Sequence, residues 1–445
     1  MTMRHDTNDE MMLPNSARTF VVASLGCLMV IACGHDDPIA PRNTAGTVAY
    51  GRGGGGQTCA VVTARELMIT DAKVVDDALR TTWATDPAVD PRAASWTFGR
   101  LMQKIAGPND AQVMVRALLD SWLVDQVVNG HTVAARPKMA TKVTNPWLTA
   151  GGGTLDLRKA PFLLSAIVNR MDLKDLSRQS AGEGRIVFST LTASANGVSL
   201  PMTVIFEFNL PATSQTDVDQ WAADWHALGA LTIGSAAYNN ALGVIVDRFA
   251  TAGSLLRFLT NEAAFDPVTD NGRAAVQEFR QFKLNAGGDR LEIAPVELTP
   301  ANALDTTATL ANFINSNESP ILAGSHSVPL TFDGAPFQGG AVFGPPNNEG
   351  ATAQRGYWKA PGILNNDARH KFSVATCNGC HNLPETGTGA VHVFRSKTRT
   401  NKAAPAASLS GFLKGITVPD PVSGVTRAFN DLARRNAAFS AMVCS

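Results

Sequence analysis

From Pro161 onward the hydrophobic pattern shortens its period, and this constrains the fold more than any other feature of the chain. Pro161 to Asp172 reads PFLLSAIVNRMD, an apolar run rich in strand-forming residues. Arg185 to Thr192 and Leu200 to Leu210 then flank Ala195-Asn196-Gly197, and Asn-Gly supplies the positive φ angles of a hairpin turn. A second hairpin is predicted where Val276 to Leu284 and Arg290 to Leu298 flank Ala286-Gly287-Gly288-Asp289. Between the hairpins, Asp217 to Leu228 and Ala236 to Phe249 return to helical spacing. Hairpin-joined strands with helices inserted predict an antiparallel α+β fold, not a doubly wound parallel sheet.

The flanks read differently. Glu66 to Asn129 is helical in pattern: Leu101, Ile105, Val113, Val115, Leu118, Leu119, Trp122, Leu123 and Val127 recur at three- and four-residue steps. Gly107-Pro108-Asn109-Asp110 interrupts the run, with Asp110 as a cap. Asp71, Asp76 and Asp77 read as capping or solvated carboxylates. Thr306 to Ile314 predicts a short helix. The chain divides into a signal segment (1–32), a lipidated flexible tether (33–58), an α+β domain (59–319), a loop-rich connection (320–369) and a C-terminal segment (370–445). That last segment ends in an amphipathic helix with Val425, Phe429, Leu432, Ala433 and Phe439 on its apolar face. Asn430, Asp431, Arg434 and Arg435 form its wet side.

The 445 residues are 44% hydrophobic with zero formal net charge, enough for a sizeable core and without a basic stripe for nucleic acid. Arg18 to Ala32 is a positive charge followed by an apolar run too short to span a bilayer, closing on Val30-Ile31-Ala32-Cys33. It resembles a bacterial lipoprotein signal, which implies a diacylglyceryl anchor on Cys33 and the lipid bilayer as a partner. Asp6, Asp9 and Glu10 are foreign to such a leader, so translation is expected to start at Met11 or Met12. Gly34 lacks the aspartate of an inner-membrane retention signal, and the resemblance therefore implies the outer membrane.

Cys27 leaves with the signal, so the exported chain keeps Cys59, Cys377, Cys380 and Cys444. An even count in an oxidising compartment predicts that every thiol is used. Cys377-Asn378-Gly379-Cys380-His381 reads C-x-x-C-H, the attachment pentapeptide of c-type haem. If haem takes both thiols, Cys59 and Cys444 are left to pair. Without haem, a Cys377–Cys380 bridge or a crossed pairing takes its place. Zinc held by Cys377, Cys380, His381 or His392 also meets the ligand count. A thioredoxin-like dithiol lacks its βαβ context. His226 reads as a packed histidine, His131 and His326 as surface, and Glu183 as a turn carboxylate paired with Arg185. No hydrolase or phosphate-binding motif is present, so a hydrolase or nucleotide enzyme has no residues to name, and a haem-based peroxidase would have only His370, His392 and Glu385 close in sequence as acid/base groups.

Phe372 to Gly389 (FSVATCNGCHNLPETGTG) resembles the attachment region of a small cytochrome c. The resemblance implies Cys377 and Cys380 as thioether residues and His381 as proximal ligand. No methionine lies between His381 and Met442, so His392 is the distal candidate, with five-coordinate iron as the alternative. More widely, Ala160 to Leu173, Gly182 to Phe188, Trp225-His226-Ala227-Leu228 and Thr376 to Thr388 are similar to secreted lipoproteins of myxobacteria and their relatives. That likeness implies a shared fold and carries no activity. The expectation is an exported, membrane-anchored protein with one haem c, exchanging electrons with a partner protein. A non-haem binding or scaffold protein with structural cysteines is the alternative.

Overall fold

The computed structural model describes residues 59–192, 197–263, 265, 277–343, 357–389, 391–397 and 405–444. The signal segment, Cys33, the tether and most of the first hairpin turn lie outside these residues.

The fold is α+β, built on an eight-stranded antiparallel sheet. Its strands are β1 (Met68–Ile69), β2 (Phe162–Arg170), β3 (Ser180–Leu191), β4 (Ser199–Pro211), β5 (Leu255–Glu262), β6 (Glu278–Leu284), β7 (Leu291–Ala294) and β8 (Val342–Phe343). Strands β1 to β6 follow one another in space as in sequence, and β7 and β8 both pair with β6. Both predicted hairpins are present. The second arm of the later one stops at Ala294, and Val296 N–H instead bonds the Gly339 carbonyl at 2.8 Å. Strand β8 comes from the segment expected to be loop-rich.

Each strand shows opposite faces at alternate residues. On one face Phe188, Phe206, Phe258 and Phe282 meet helices α1 (Phe98–Ala106), α2 (Ala111–Asp120), α3 (Gln215–Ala227) and α4 (Ala236–Phe249) in a single apolar core. Phe98 stacks on Phe162 at 4.1 Å between ring centroids and meets Phe188 edge-on at 6.2 Å. Local signals start these helices. Thr97 caps α1, Asp110 caps α2 as expected, and Ser214 with Asp217 forms a capping box at α3. Asp71 and Asp77 cap two short helices, whereas Asp76 ion-pairs with Arg395. The rest of the 66–129 region is less helical than its pattern suggested. It includes β1 and a small ladder, Gln126–Val128 with His131–Val133.

The other sheet face is covered by the C-terminal segment, so the molecule has three layers. Helices α5 (Ala308–Ser316) and α6 (Asn366–Ala375) lead into α7 (Cys377–Cys380), a single helical turn. A hairpin of β9 (Ile416–Pro419) and β10 (Thr426–Phe429) precedes the terminal helix α8 (Asp431–Val443). Val374, Cys380, Val393, Phe412 and Leu413 pack here against Val168, Val187 and Ile205. The terminal helix starts later than its pattern implied, because Val425 precedes and Phe429 ends a hairpin strand. Its predicted wet side is also corrected: Asp431 is fully buried and Arg435 is 7% exposed, since the two pair with each other against Arg170 and Asp172 at the end of β2. Cys59 and Cys444 are joined by a disulfide across 5.7 Å between Cα atoms. Among the described residues no helix is long and apolar enough to cross a membrane.

Candidate functional site

The pentapeptide sits against the middle of the sheet, held by its own backbone. Thr376 caps α7: its Oγ1 accepts from Gly379 N at 3.1 Å and donates to Ser373 O at 2.7 Å. Cys380 N donates to Thr376 O at 2.9 Å, and Trp358 Nε1 donates to Thr376 Oγ1 at 2.8 Å. A Cβ on Gly379 would lie 2.0 Å from Ser373 O, so only glycine lets the turn fold back this tightly. The helical turn brings both cysteines of the i, i+3 pair to one cleft. Cys377 is half-buried, Cys380 is fully buried, and both stand as thiols.

The structure brings the four predicted ligands together. Cys377, Cys380, His381 and His392 all line this cleft, whose volume is about 140 Å³. His392 Nδ1 lies 2.8 Å from Ser410 Oγ, and its Nε2 lies 3.2 Å from Cys380 Sγ. His381 Nδ1 lies 3.2 Å from the Asn261 amide nitrogen, and a half-turn of that amide would present its oxygen instead. Both imidazoles are therefore steadied through Nδ1, the outer-partner pattern that leaves Nε2 to a metal. The two rings touch, 4.2 Å between centroids, with Phe279 beside His381 and Phe412 beside His392. Val187, Ile205, Leu259 and Leu413 supply apolar wall.

Haem fits the donor chemistry: two thiols on one helical turn, an adjoining imidazole and a second imidazole opposite apolar residues. The cleft as it stands is smaller. A cavity of about 150 Å³ takes benzene, whereas drug-sized ligands need about 300 Å³ or more. A macrocycle is held here only if the His381 and His392 rings part. A bare metal ion needs no such movement.

Charge surrounds the site on two sides. Behind the motif, Glu385 receives both Nη atoms of Arg369 at 3.1 and 3.0 Å and lies 2.5 Å from His370 Nδ1. Arg369 also reaches Asp420, which Arg427 pairs at 3.2 Å. Burial pushes the Asp420 carboxyl up, but the Ser423 and Val422 amides and Arg369 outweigh it and hold it well below the usual carboxylate range. His370, Glu385 and Asp420 lie close enough to hold an ion, but Arg369 already occupies their carboxylates, and none of them lines the cleft. They brace the loop after the motif. On the sheet side, Glu183 pairs with Arg185 at 2.6 Å, as expected, and with Arg257 at 3.0 Å. Burial pushes Glu183 up, yet Arg185, Arg257 and Arg170 hold it low; for Glu207 burial wins and its carboxyl is raised.

Other predicted residues fall elsewhere. His226 Nδ1 bonds the buried Glu66 carboxylate at 2.8 Å and is structural. His326, expected on the surface, is 3% exposed against Phe372, and His131 is half-buried. Sequence reasoning missed Asn261, Phe279 and Arg435 as cleft residues and Ser410 as the partner of His392. Ser410 carried a signal, a cap position before Gly411-Phe412-Leu413; Asn261 and Phe279 reach the motif only through the sheet register, and Arg435 only through the packing of the terminal helix. A larger hollow of about 950 Å³ has Lys159 and Lys397 as its charges and no nucleophile with a base.

No protein-family model matches the chain, and no match was found among curated proteins or solved structures.

Proposed function

We propose that the protein is an exported lipoprotein, anchored through Cys33 and facing outward from the bacterial outer membrane. Its Cys377/Cys380/His381/His392 cleft holds one covalent haem c for electron transfer to a partner protein. The observation that carries the reading is the convergence of the pentapeptide and His392 on one apolar-walled cleft. Cys377 and Cys380 are the attachment thiols. His381 offers Nε2 to the iron while Asn261 steadies its Nδ1, and His392, oriented by Ser410, is the second ligand. The group would supply one-electron transfer, at a potential tuned by axial ligands and burial. Residues Val187, Ile205, Leu259 and Phe412 exclude water from its surroundings.

The test is to make the exported protein in a host with haem-attachment machinery. A Soret band and a haem-sized mass increase that survive denaturation are expected. Both are lost in Cys377→Ala/Cys380→Ala, and His392→Ala turns a low-spin spectrum high-spin. Cys33→Ala should release the protein from membranes. A second reading, one zinc-like ion held by the same four donors, is favoured by the small cleft and by the 3.2 Å approach of Cys380 Sγ to His392 Nε2. It predicts an unmodified mass with one equivalent of metal. An unmodified, metal-free protein would leave a scaffold with structural cysteines.

A further inference from the structure

Besides the thiols and imidazoles, the cleft is lined by the guanidinium groups of Arg170, Arg185, Arg257, Arg280 and Arg435 and by the carboxylates of Glu207 and Glu297. Arg170 is paired with Asp172 at 2.8 and 3.0 Å. Arg434 reaches Asp172 at 2.9 Å and Asp431 at 2.7 Å, and Arg435 ion-pairs with Asp431. Three cations, Arg170 and Arg435 buried and Arg434 half-buried, therefore share two carboxylates. Next to them Arg185, Arg257 and Lys283 face Glu183, Glu207 and Glu297, three against three.

Arg435 is where the surplus shows. It lines the cleft with Arg170 and Arg185, and its Nε has no hydrogen-bond partner although the residue is only 7% exposed. Burial and Arg170 lower its pKa to about 10, against Asp431 and Asp172. Arg185 Nη2 also lacks an aligned acceptor, although it contacts Glu183 at 2.6 Å. An uncompensated buried cation is costly, and planar guanidinium forks match carboxylates. The cleft that opens beside them is of benzene size, with Val187, Ile205 and Leu413 as wall.

We propose that Arg435, with Arg170 and Arg185, forms a subsite for a carboxylate, the head group of a small acid with an apolar body. Two sources supply that chemistry: a free monocarboxylic acid, or a carboxylate of the haem itself. The second source rests on the haem reading; the first does not.

The experiment uses the full chain made with and without haem-attachment machinery, with benzoate as probe and benzamide as its neutral counterpart. In the haem-free protein benzoate should bind saturably and about tenfold or more tighter than benzamide, the worth of one charge-assisted pair. Arg435→Gln should weaken benzoate about tenfold without changing benzamide, and Arg435→Lys should weaken it less. Arg178→Gln, outside both the cleft lining and this ion-pair set, controls for a general charge effect and should change binding little. If the haem-loaded protein no longer takes benzoate while the haem-free one does, the haem carboxylate is the occupant; binding in both identifies the free acid. Absent or unsaturable binding in the haem-free protein overturns the subsite, as does equal affinity for benzamide. Unchanged affinity in Arg435→Gln, with an unaltered circular dichroism spectrum, overturns it too.

Discussion

The two faces of one sheet solve opposite problems with the same strands. On β4, Val204, Phe206 and Phe208 enter an aromatic core, while Ile205 and Glu207 between them face the cleft. The first face is held by shape: Phe206 packs against Phe188 and Phe258 at 5.9 and 5.0 Å. The second is held by pairing: Arg257 serves Glu183, Glu207 and Glu297 at once and is 1% exposed. An apolar core loses stability in proportion to what is removed. A buried ionic layer loses it according to which charge is left alone.

Single deletions on the two faces should therefore cost about the same and differ in how they are rescued. Phe206→Ala is expected to destabilise by about 3–5 kcal/mol in urea unfolding, with no second deletion restoring it. Arg257→Leu should also cost about 3–5 kcal/mol, but adding Glu207→Leu should recover most of that loss, because it removes the stranded charge. If Phe206→Ala is the one rescued by deletion, the contrast between the faces is wrong.

Opening the Cys59–Cys444 disulfide, by Cys59→Ser with Cys444→Ser, should cost about 2–4 kcal/mol. Hydrogen exchange should rise first in α8, which carries Arg434 and Arg435, and last in β3 and β4. A uniform rise would mean that the two faces do not loosen separately. Gly379→Ala should cost about 1–3 kcal/mol by overpacking α7 against Ser373 O, and it should lower metal or haem loading while α1 to α4 keep their exchange protection.

A further contrast concerns pH on the aromatic side. Glu262, on the same side of β5 as Phe258, is pushed up to about 8 by burial and Glu278, against the pull of Arg136. Its folded value lies above its ordinary 4.5, so the folded state holds the proton more tightly. That contribution is complete below about pH 4.5 and is lost as pH rises toward about 8. The melting temperature should fall across that window, and Glu262→Gln should flatten the decline.

The fold was legible wherever neighbours in sequence are neighbours in space. The strand runs, both hairpins and the caps at Asp110 and Asp77 depend on local pattern and are present. The four cleft ligands were legible as residue types at meaningful spacing. Arg435 was not: a charged residue on a helix reads as solvated, and only Asp172, brought against the helix from just beyond β2, reverses that reading. His326 misled for the same reason, since the flanking glycine signals a loop but says nothing of Phe372 lying over it. Strand β8 escaped because two residues carry no period.

The disulfide also fixes where force enters the molecule. Cys59 begins the described chain and Cys444 ends it, 385 residues apart in sequence. A pull applied through the segment preceding Cys59 meets a covalently closed ring before it meets any strand. The load passes across one S–S bond into the last turn of α8, so the hydrogen bonds between β2 and β6 are not the first to carry it. Under such a pull the sheet and its cleft would keep their shape.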